Sequence, residues 1–128
     1  MDKTILVVRD LANGTEILGA LDRAKLDIRV AVWAYLNEYP DWRLMLASPR
    51  FDESDDLRDA FGLVNDALEA AEISYEKTPP IVILKMSDKT IRDLRKMYAK
   101  WKGIEGRNIG NQLYGDRFIE EAIAYRIK

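Results

Sequence analysis

The 128-residue sequence contains no cysteine and no histidine. Without cysteine, the chain can form no disulfide, no thiolate nucleophile and no zinc or iron–sulfur site held by sulfur ligands. Without histidine, it lacks the usual general base near neutral pH and the commonest metal ligand. These two absences exclude most thiol, redox and zinc chemistry, and they predict a protein that works without a cofactor.

The sequence also lacks a strong net charge and any long hydrophobic run. A formal charge of −2 gives no overall attraction to nucleic acid or to a membrane surface. No apolar run approaches the length of a membrane span. The apolar residues that follow Thr4 are interrupted at Arg9, which is too soon for a signal peptide. We therefore expect a cytoplasmic protein.

What is present is an ordinary globular composition, with 48% hydrophobic and 33% charged residues. A chain of this length buries roughly two-thirds of its unfolded surface, which is enough for a real core. No repeat, low-complexity segment or long linker divides the sequence. It predicts a single domain over residues 1–128.

The stretch from Ile28 to Pro49 organises the predicted fold, because two runs rich in valine, tryptophan, tyrosine and leucine flank a polar connection at 37–41. Alternate residues of the first run would lie on opposite faces of a sheet, and both sets are apolar. The two sets are Ile28, Val30, Val32, Ala34 and Leu36, and Ala31, Trp33 and Tyr35. Some of these residues also fit the end of a long helix. The β-branched and aromatic content favours a β-hairpin covered on both faces.

Two segments of helical spacing flank this hairpin. The first runs from about Asp10 to Lys25, and the segment Thr4–Val8 before it fits either a strand or the start of that helix. The second follows Ser54, a favourable N-cap, and runs from Leu57 to Ala71. We predict a helix on each side of the hairpin.

The remaining elements are a strand, a helix and a second hairpin. The continuous apolar run Ile81–Leu84 is typical of a central strand buried on both faces. Ser87 is the predicted cap of a basic helix over 88–102. The strand-like segment Phe118–Ile127 is expected to pair with a shorter strand near 104–109. The predicted fold class is α+β, with a mixed, largely antiparallel sheet of about five strands and about three helices.

Several short motifs, spread over most of the chain, resemble those of a group of short stand-alone bacterial proteins of unknown function. They are Ala20-Leu21-Asp22, Ala31-Val32-Trp33, Trp42-Arg43-Leu44, Leu46-Ala47-Ser48-Pro49, and Phe118-Ile119-Glu120 with Ala122 and Tyr125-Arg126. The resemblance implies a bacterial protein, and it supports the hairpin because the two tryptophan-containing runs are strand-like in that group. The stretch around Gly106 and Asn111 departs from the group's pattern. No activity comes with the resemblance.

Charge is segregated along the second half of the chain. Residues 51–76 include nine acidic and one basic residue, whereas 89–107 include seven basic and two acidic residues. Arg92, Lys96 and Lys100 would follow one another along one side of helix 88–102. They predict a cationic ridge for phosphate groups, with nucleic-acid binding as an alternative function.

Additional candidates for such a site are Arg107 and an anion nest of the backbone amides of Gly103, Gly106 and Gly110. The simpler interpretation is that the acidic and basic helices lie side by side or face water.

Carboxylates offer a second kind of site. Asp52, Glu53, Asp55 and Asp56 could hold Mg²⁺, which takes oxygen ligands, so a magnesium-dependent hydrolase is a second alternative. Acidic residues also favour a helix N-terminus, which gives them a structural reason to be there. A restriction-type nuclease would carry an acidic residue two positions before a lysine on a strand, and no lysine here has one.

The sequence gives no catalytic constellation, so we expect a non-catalytic protein-interaction module or a homodimer. The predicted contact surfaces are the exposed edge of the terminal hairpin and the oppositely charged helices. The aromatic residues Trp33, Tyr35, Trp42 and Tyr125 could line a pocket, but we predict that they belong to the core.

Overall fold

The computed structural model describes residues 8–36 and 41–128. Apart from Val8, the undecided segment Thr4–Val8 lies outside the described residues, as does most of the predicted connection at 37–41. The elements are α1 (Val8–Arg23), β1 (Val30–Leu36), β2 (Trp42–Ala47), α2 (Leu57–Ala70), β3 (Ile81–Ile83), α3 (Lys89–Tyr98), β4 (Gln112–Tyr114) and β5 (Arg117–Ile127). Short 3₁₀ turns lie at 51–53 and 75–77.

The predicted central hairpin is confirmed. β1 and β2 pair antiparallel, from Val30 opposite Ala47 to Tyr35 opposite Trp42. All seven residues of β1 are buried, which is why both alternating sets of its side chains had to be apolar. Trp33, Tyr35 and Trp42 are core residues, as predicted.

The five strands form one mixed sheet in the order β3-β2-β1-β5-β4. Only the β2–β3 pair is parallel; the other three pairs are antiparallel, so the predicted α+β fold class is confirmed. Helices cover both faces. We call them the α1–α2 face, where Ile17, Leu21, Val64 and Leu68 pack on the sheet, and the α3 face, where Ile91, Leu94 and Tyr98 do so.

The prediction of a central strand at Ile81–Leu84 is wrong in one respect. β3 ends at Ile83 and lies at the edge of the sheet, and Ile81 and Val82 are only half-buried. A short apolar run indicates burial but does not identify the strand's place in the sheet.

The predicted partner of the last strand is also corrected. Residues 104–109 do lie along β5, through three backbone hydrogen bonds and an isolated bridge between Asn108 and Ile123, but they form a loop, and the strand that pairs with β5 there is β4. The register between β1 and β5 shifts twice, so the side-chain alternation of β5 is interrupted. As a result, Ile119 and Ile127 lie on the α3 face, whereas Ile123 packs on the α1–α2 face. A bulge inserts one unpaired residue and reverses which side chains point to each face.

Both predicted serine caps are wrong by one or two positions. Asp56 caps α2 by accepting from the amide of Arg58, and Asp88 caps α3 by accepting from the amide of Thr90. Aspartate caps as well as serine and adds a charge that the helix dipole favours. α3 ends at Tyr98, four residues before the predicted Lys102.

Candidate functional site

The four carboxylates predicted to bind magnesium are dispersed into structural contacts. Asp52 Oδ2 accepts from the amide of Met86 at 3.0 Å, and Asp56 caps α2. Glu53 pairs with Arg50 at 3.6 Å, and Asp55 pairs with Lys85 at 3.5 Å. Within residues 8–36 and 41–128, no group of three or more acidic side chains could hold a metal ion. The magnesium hypothesis therefore gains no support from the described chain.

The acidic and basic helices do not lie side by side, so that half of the simpler interpretation is wrong, whereas the half in which they face water is not contradicted. α2 packs beside α1 on one face of the sheet, and α3 covers the other face. The acidic segment 51–76 and the basic segment 89–107 are therefore separated by the sheet. The domain presents an anionic face and a cationic face despite a net charge of only −2.

The cationic side chains of α3 line an open groove of about 730 Å³ between this helix and the β4–β5 turn. Arg92 and Lys96, both predicted site residues, line it together with Lys89 and Arg95. The groove also contains two carboxylates. One of them, Asp93, accepts a hydrogen bond from the amide of Gly115 at 2.5 Å and so fixes the turn against α3.

Two other predicted site residues lie outside this groove. Lys100 lies just after the end of α3, and Arg107 lies in the loop before β4; both are exposed. Two of the three amides of the predicted anion nest are already used, because the amide of Gly106 donates to the carbonyl of Ala124 in β5 and the amide of Gly110 donates to Asn108 Oδ1. These two donors are not available to a ligand.

Three cations of the groove form no ion pair with the described residues, in contrast to six cations elsewhere in the chain. Elsewhere, carboxylates pair with Arg29, Arg50, Arg58, Lys85, Arg117 and Arg126. In the described part of the chain, Lys89, Arg92 and Lys96 have no acidic group within 4.0 Å. Their charge is therefore available to an external anion.

The second feature is an exposed apolar surface at the β4 edge of the sheet. The sequence predicted an exposed edge on the terminal hairpin, but it did not identify the residues that form it. Among the described residues, four of the six exposed large hydrophobic side chains belong to the end of α3 or to the β4–β5 hairpin: Met97, Trp101, Leu113 and Phe118. We call Met97, Leu113 and Phe118 the β4-edge patch, because Met97 contacts Gln112 of β4 and the other two lie opposite each other on the hairpin. Its sequence signal is the pair Gly115-Asp116 between two runs with apolar residues, since a Gly-Asp pair is typical of a two-residue hairpin turn.

Two tyrosines, the buried Tyr114 and the half-buried Tyr125, hold the sheet to its helices. Tyr98 and Tyr114 share a hydrogen bond of 2.8 Å, and the Tyr114 hydroxyl donates to the carbonyl of Ile109. Burial, together with the hydrogen bond to Tyr98, raises the pKa of Tyr114 well above its usual range. On the other face, burial also raises the pKa of Tyr125. Both hydroxyls stay protonated at neutral pH, which suits structural donors rather than general bases.

Asp22 and Arg126 form an ion pair that makes stability depend on pH. Both terminal nitrogens of Arg126 donate to the carboxylate, at 2.7 and 2.8 Å, and these hydrogen bonds lower the pKa of Asp22 below its ordinary value of 3.8. Because the folded-state pKa is lowered, the stabilisation is present above the unfolded pKa and disappears as pH falls through the folded one. The carboxylate is 42% exposed, so we expect only about 0.5–1 kcal/mol.

The measurement is the free energy of unfolding by urea at neutral pH and near pH 2.5. Asp22→Asn is expected to destabilise the protein at neutral pH and to lose less stability on acidification than the wild type. Asp66→Asn, at an exposed position of α2, serves as the control and should follow the wild type at both pH values. Equal acid sensitivity of all three proteins would contradict the assignment.

No family model, curated protein or solved structure matches this chain. The resemblance to short bacterial proteins and the cytoplasmic location therefore stay predictions. Among the described residues, no helix has both the length and the apolar character needed to cross a membrane.

Proposed function

We propose that this protein is a non-catalytic interaction module that forms a homodimer through the open edge of β4. The observation that carries the proposal is the coincidence of an unpaired strand edge with the β4-edge patch. Each feature alone is common, but together they provide backbone hydrogen-bonding groups and apolar surface at one place.

The edge suits pairing with a second copy of itself. β4 hydrogen-bonds to β5 on one side. No described strand pairs with its other side, where α3 occupies only the carbonyl of Tyr114, through Thr90 Oγ1. Two identical strands can pair antiparallel about a two-fold axis, which makes a closed, self-complementary contact. Residues 111–113 carry no charge, so this contact would bring no like charges together along the strands themselves.

The opposite edge of the sheet is protected in the ways that natural edge strands usually are. β3 and β4 are equally short, but Pro79 and Pro80 precede β3, and Lys85 follows it closely. Proline and lysine at an edge discourage pairing with another chain. The β4 edge has neither at residues 111–114, which favours it as the contact surface.

The flanking side chains would add apolar area to the strand contact. Leu113 and Phe118 are directly opposite each other across β4 and β5 and are 60% and 40% exposed. Met97 of α3 lies against the same strand, with its sulfur 3.6 Å from Gln112 Nε2. A stable interface usually buries about 800 Å² per partner, so the strand edge needs these neighbours to reach that size.

The test is light scattering after size exclusion over a range of protein concentrations. The wild type is expected to be a dimer, and Leu113→Lys should weaken dimerisation by about thirtyfold or more, because a central apolar contact contributes about 2 kcal/mol. Leu57→Lys is the matched control: Leu57 is 51% exposed but lies at the start of α2, far from β4 in the chain. It should dimerise like the wild type.

Salt dependence distinguishes this dimer from one held by opposite charges. About a two-fold axis through β4, both α3 helices lie on the same side of the joined sheet, so their cations repel and added salt should strengthen the dimer. If the anionic face of one copy instead contacted the cationic face of the other, added salt would weaken the dimer. A monomeric wild type, an equal effect of Leu57→Lys, or weakening by salt would each overturn the proposal.

A further inference from the structure

We propose that the cationic face of α3 binds single-stranded nucleic acid, with Trp101 as a stacking surface for a base. The ligand-binding residues would be Arg92 and Lys96 in the groove, Lys100 and Lys102 after the helix, and Trp101 between those two lysines. We call these five residues the α3 ridge. The proposal does not depend on the proposed dimer, whose contact residues Leu113 and Phe118 lie on the hairpin.

The overall charge of −2 does not describe this face. The acidic segment 51–76 lies beyond the sheet, and charges separated by more than about 8–10 Å of solvent are largely screened at physiological ionic strength. An anion approaching α3 therefore experiences mainly the local charges, which in the groove are four cations and the carboxylates of Asp93 and Asp116. Three of these cations have no acidic partner within 4.0 Å among the described residues, so binding to them would break no ion pair.

The ridge provides four cations in series along the chain. Arg92 and Lys96 are one helical turn apart, which is about 6 Å along the helix axis. Lys100 and Lys102 continue the series past the C-cap at Ala99. A row of flexible cations can follow a phosphate backbone, and each phosphate neutralised releases a counterion that favours binding.

Trp101 distinguishes the ridge from an ordinary solvated helix face. Its side chain is 57% exposed, whereas Trp33 and Trp42 are 3% and 9% exposed. Its ring contacts Tyr98 in an edge arrangement with 5.5 Å between centroids, which holds the indole in place while leaving more than half of it accessible. An exposed indole among lysines is the combination used to stack unpaired bases, at about 1–3 kcal/mol per base.

This combination favours a single strand over the other polyanions. In a duplex the faces of the bases are covered by their neighbours, so Trp101 would have nothing to stack on and only the phosphates would be recognised. An acidic peptide would satisfy the cations but offers no planar base. A single strand is the ligand that uses both parts of the ridge.

Tryptophan fluorescence reports on the proposed contact directly, because the other two indoles are buried. The probe is a short unlabelled oligothymidine at low salt, titrated into the full-length protein. We expect quenching of the Trp101 emission, and a Kd that rises with salt at a slope of about 0.7 per phosphate contacted. The same oligonucleotide with a fluorescent label gives Kd by anisotropy for variants without Trp101.

Three variants separate the parts of the ridge. Arg92→Glu with Lys96→Glu should abolish binding, and Trp101→Ala should weaken it by about tenfold while leaving the salt slope unchanged. Trp101→Phe keeps an aromatic ring and should retain most of the affinity. The charge-matched control is Lys25→Glu with Lys77→Glu, two exposed cations outside α3, and it should bind nearly as well as the wild type.

If the protein does not bind the oligonucleotide at low salt, the proposal is overturned. It is also overturned if the charge-matched control loses as much affinity as Arg92→Glu with Lys96→Glu. If the protein binds a duplex as tightly as the single strand, and Trp101→Ala does not change the affinity, the ridge binds phosphates without stacking. That result would also overturn the proposal. Competition by polyglutamate at equal charge concentration would assign the ridge to an acidic peptide instead. Leu113→Lys should bind the oligonucleotide like the wild type, so failure of the dimer and failure of the ridge are separable.

Discussion

Gly14→Ala is expected to destabilise the protein by about 2–3 kcal/mol, although alanine is normally the better helix residue by about 1 kcal/mol. Gly14 is buried in α1 against the β1–β5 region of the sheet. A β-carbon there would lie 2.7 Å from Trp33 Nε1 and would collide with the Tyr125 hydroxyl. That hydroxyl accepts from Trp33 at 2.8 Å and donates to the carbonyl of Leu11, so the collision also disturbs two hydrogen bonds.

Gly19→Ala is the matched control, because it makes the same change five residues later in the same helix. Its β-carbon would meet only a terminal nitrogen of Arg23, at the ordinary distance of 3.5 Å. We expect it to stabilise the protein by about 0.5–1 kcal/mol through helix propensity alone. Urea unfolding, or melting temperatures shifted by about 4 °C per kcal/mol, would measure both variants. Effects of the same sign would contradict the close packing of α1 on Tyr125.

Asp88→Ala is expected to cost about 3 kcal/mol, because one carboxylate joins α3 to the terminal hairpin. Asp88 caps α3 through the amide of Thr90 at 2.8 Å and pairs with Arg117 of β5 at 2.7 Å. Arg117 also donates to Thr90 Oγ1, which in turn donates to the carbonyl of Tyr114. Removing the carboxylate loses a cap, worth about 1 kcal/mol, and leaves a largely buried guanidinium without its counter-charge.

Two further variants separate the loss of stability due to the helix cap from the loss due to the ion pair. Asp88→Asn keeps a good cap but removes the charge, so it should recover about 1 kcal/mol relative to Asp88→Ala. Asp56→Ala removes the equivalent cap of α2, whose partner Arg58 is 92% exposed, and should cost only about 1 kcal/mol. Equilibrium unfolding of the three variants gives the comparison. If Asp56→Ala proved as damaging as Asp88→Ala, the link between α3 and the hairpin would contribute nothing beyond the cap.

The fold could be predicted from the sequence where local pattern and burial agree. In β1 every residue is apolar because the strand is central and covered on both sides, and that pattern is readable without coordinates. In β5 the pattern misleads, because two register shifts against β1 exchange the faces partway along the strand. Such shifts depend on how two distant strands fit together, which periodicity within one strand does not report.

The candidate sites were predictable in composition but not in placement. The cations of helix 88–102 are evident from their spacing, yet only the fold shows that the sheet separates them from the acidic helix and that Arg107 lies outside the groove. An exposed edge on the terminal hairpin was predicted, but β4 itself was not, because a strand of three residues is too short to show an alternating pattern. Its turn, at Gly115 and Asp116, was the one local signal that could have located it.

The position of β5 between β1 and β4 has a consequence for how the domain forms during synthesis on the ribosome. β5 lies about ninety residues after β1 in the chain. One edge of β1 therefore has no strand to pair with until β5 has been synthesised. Contacts between such distant segments slow folding, and an uncovered hydrophobic strand is prone to aggregation. Release of chains cut short before Arg117 should therefore yield insoluble product rather than a smaller folded domain.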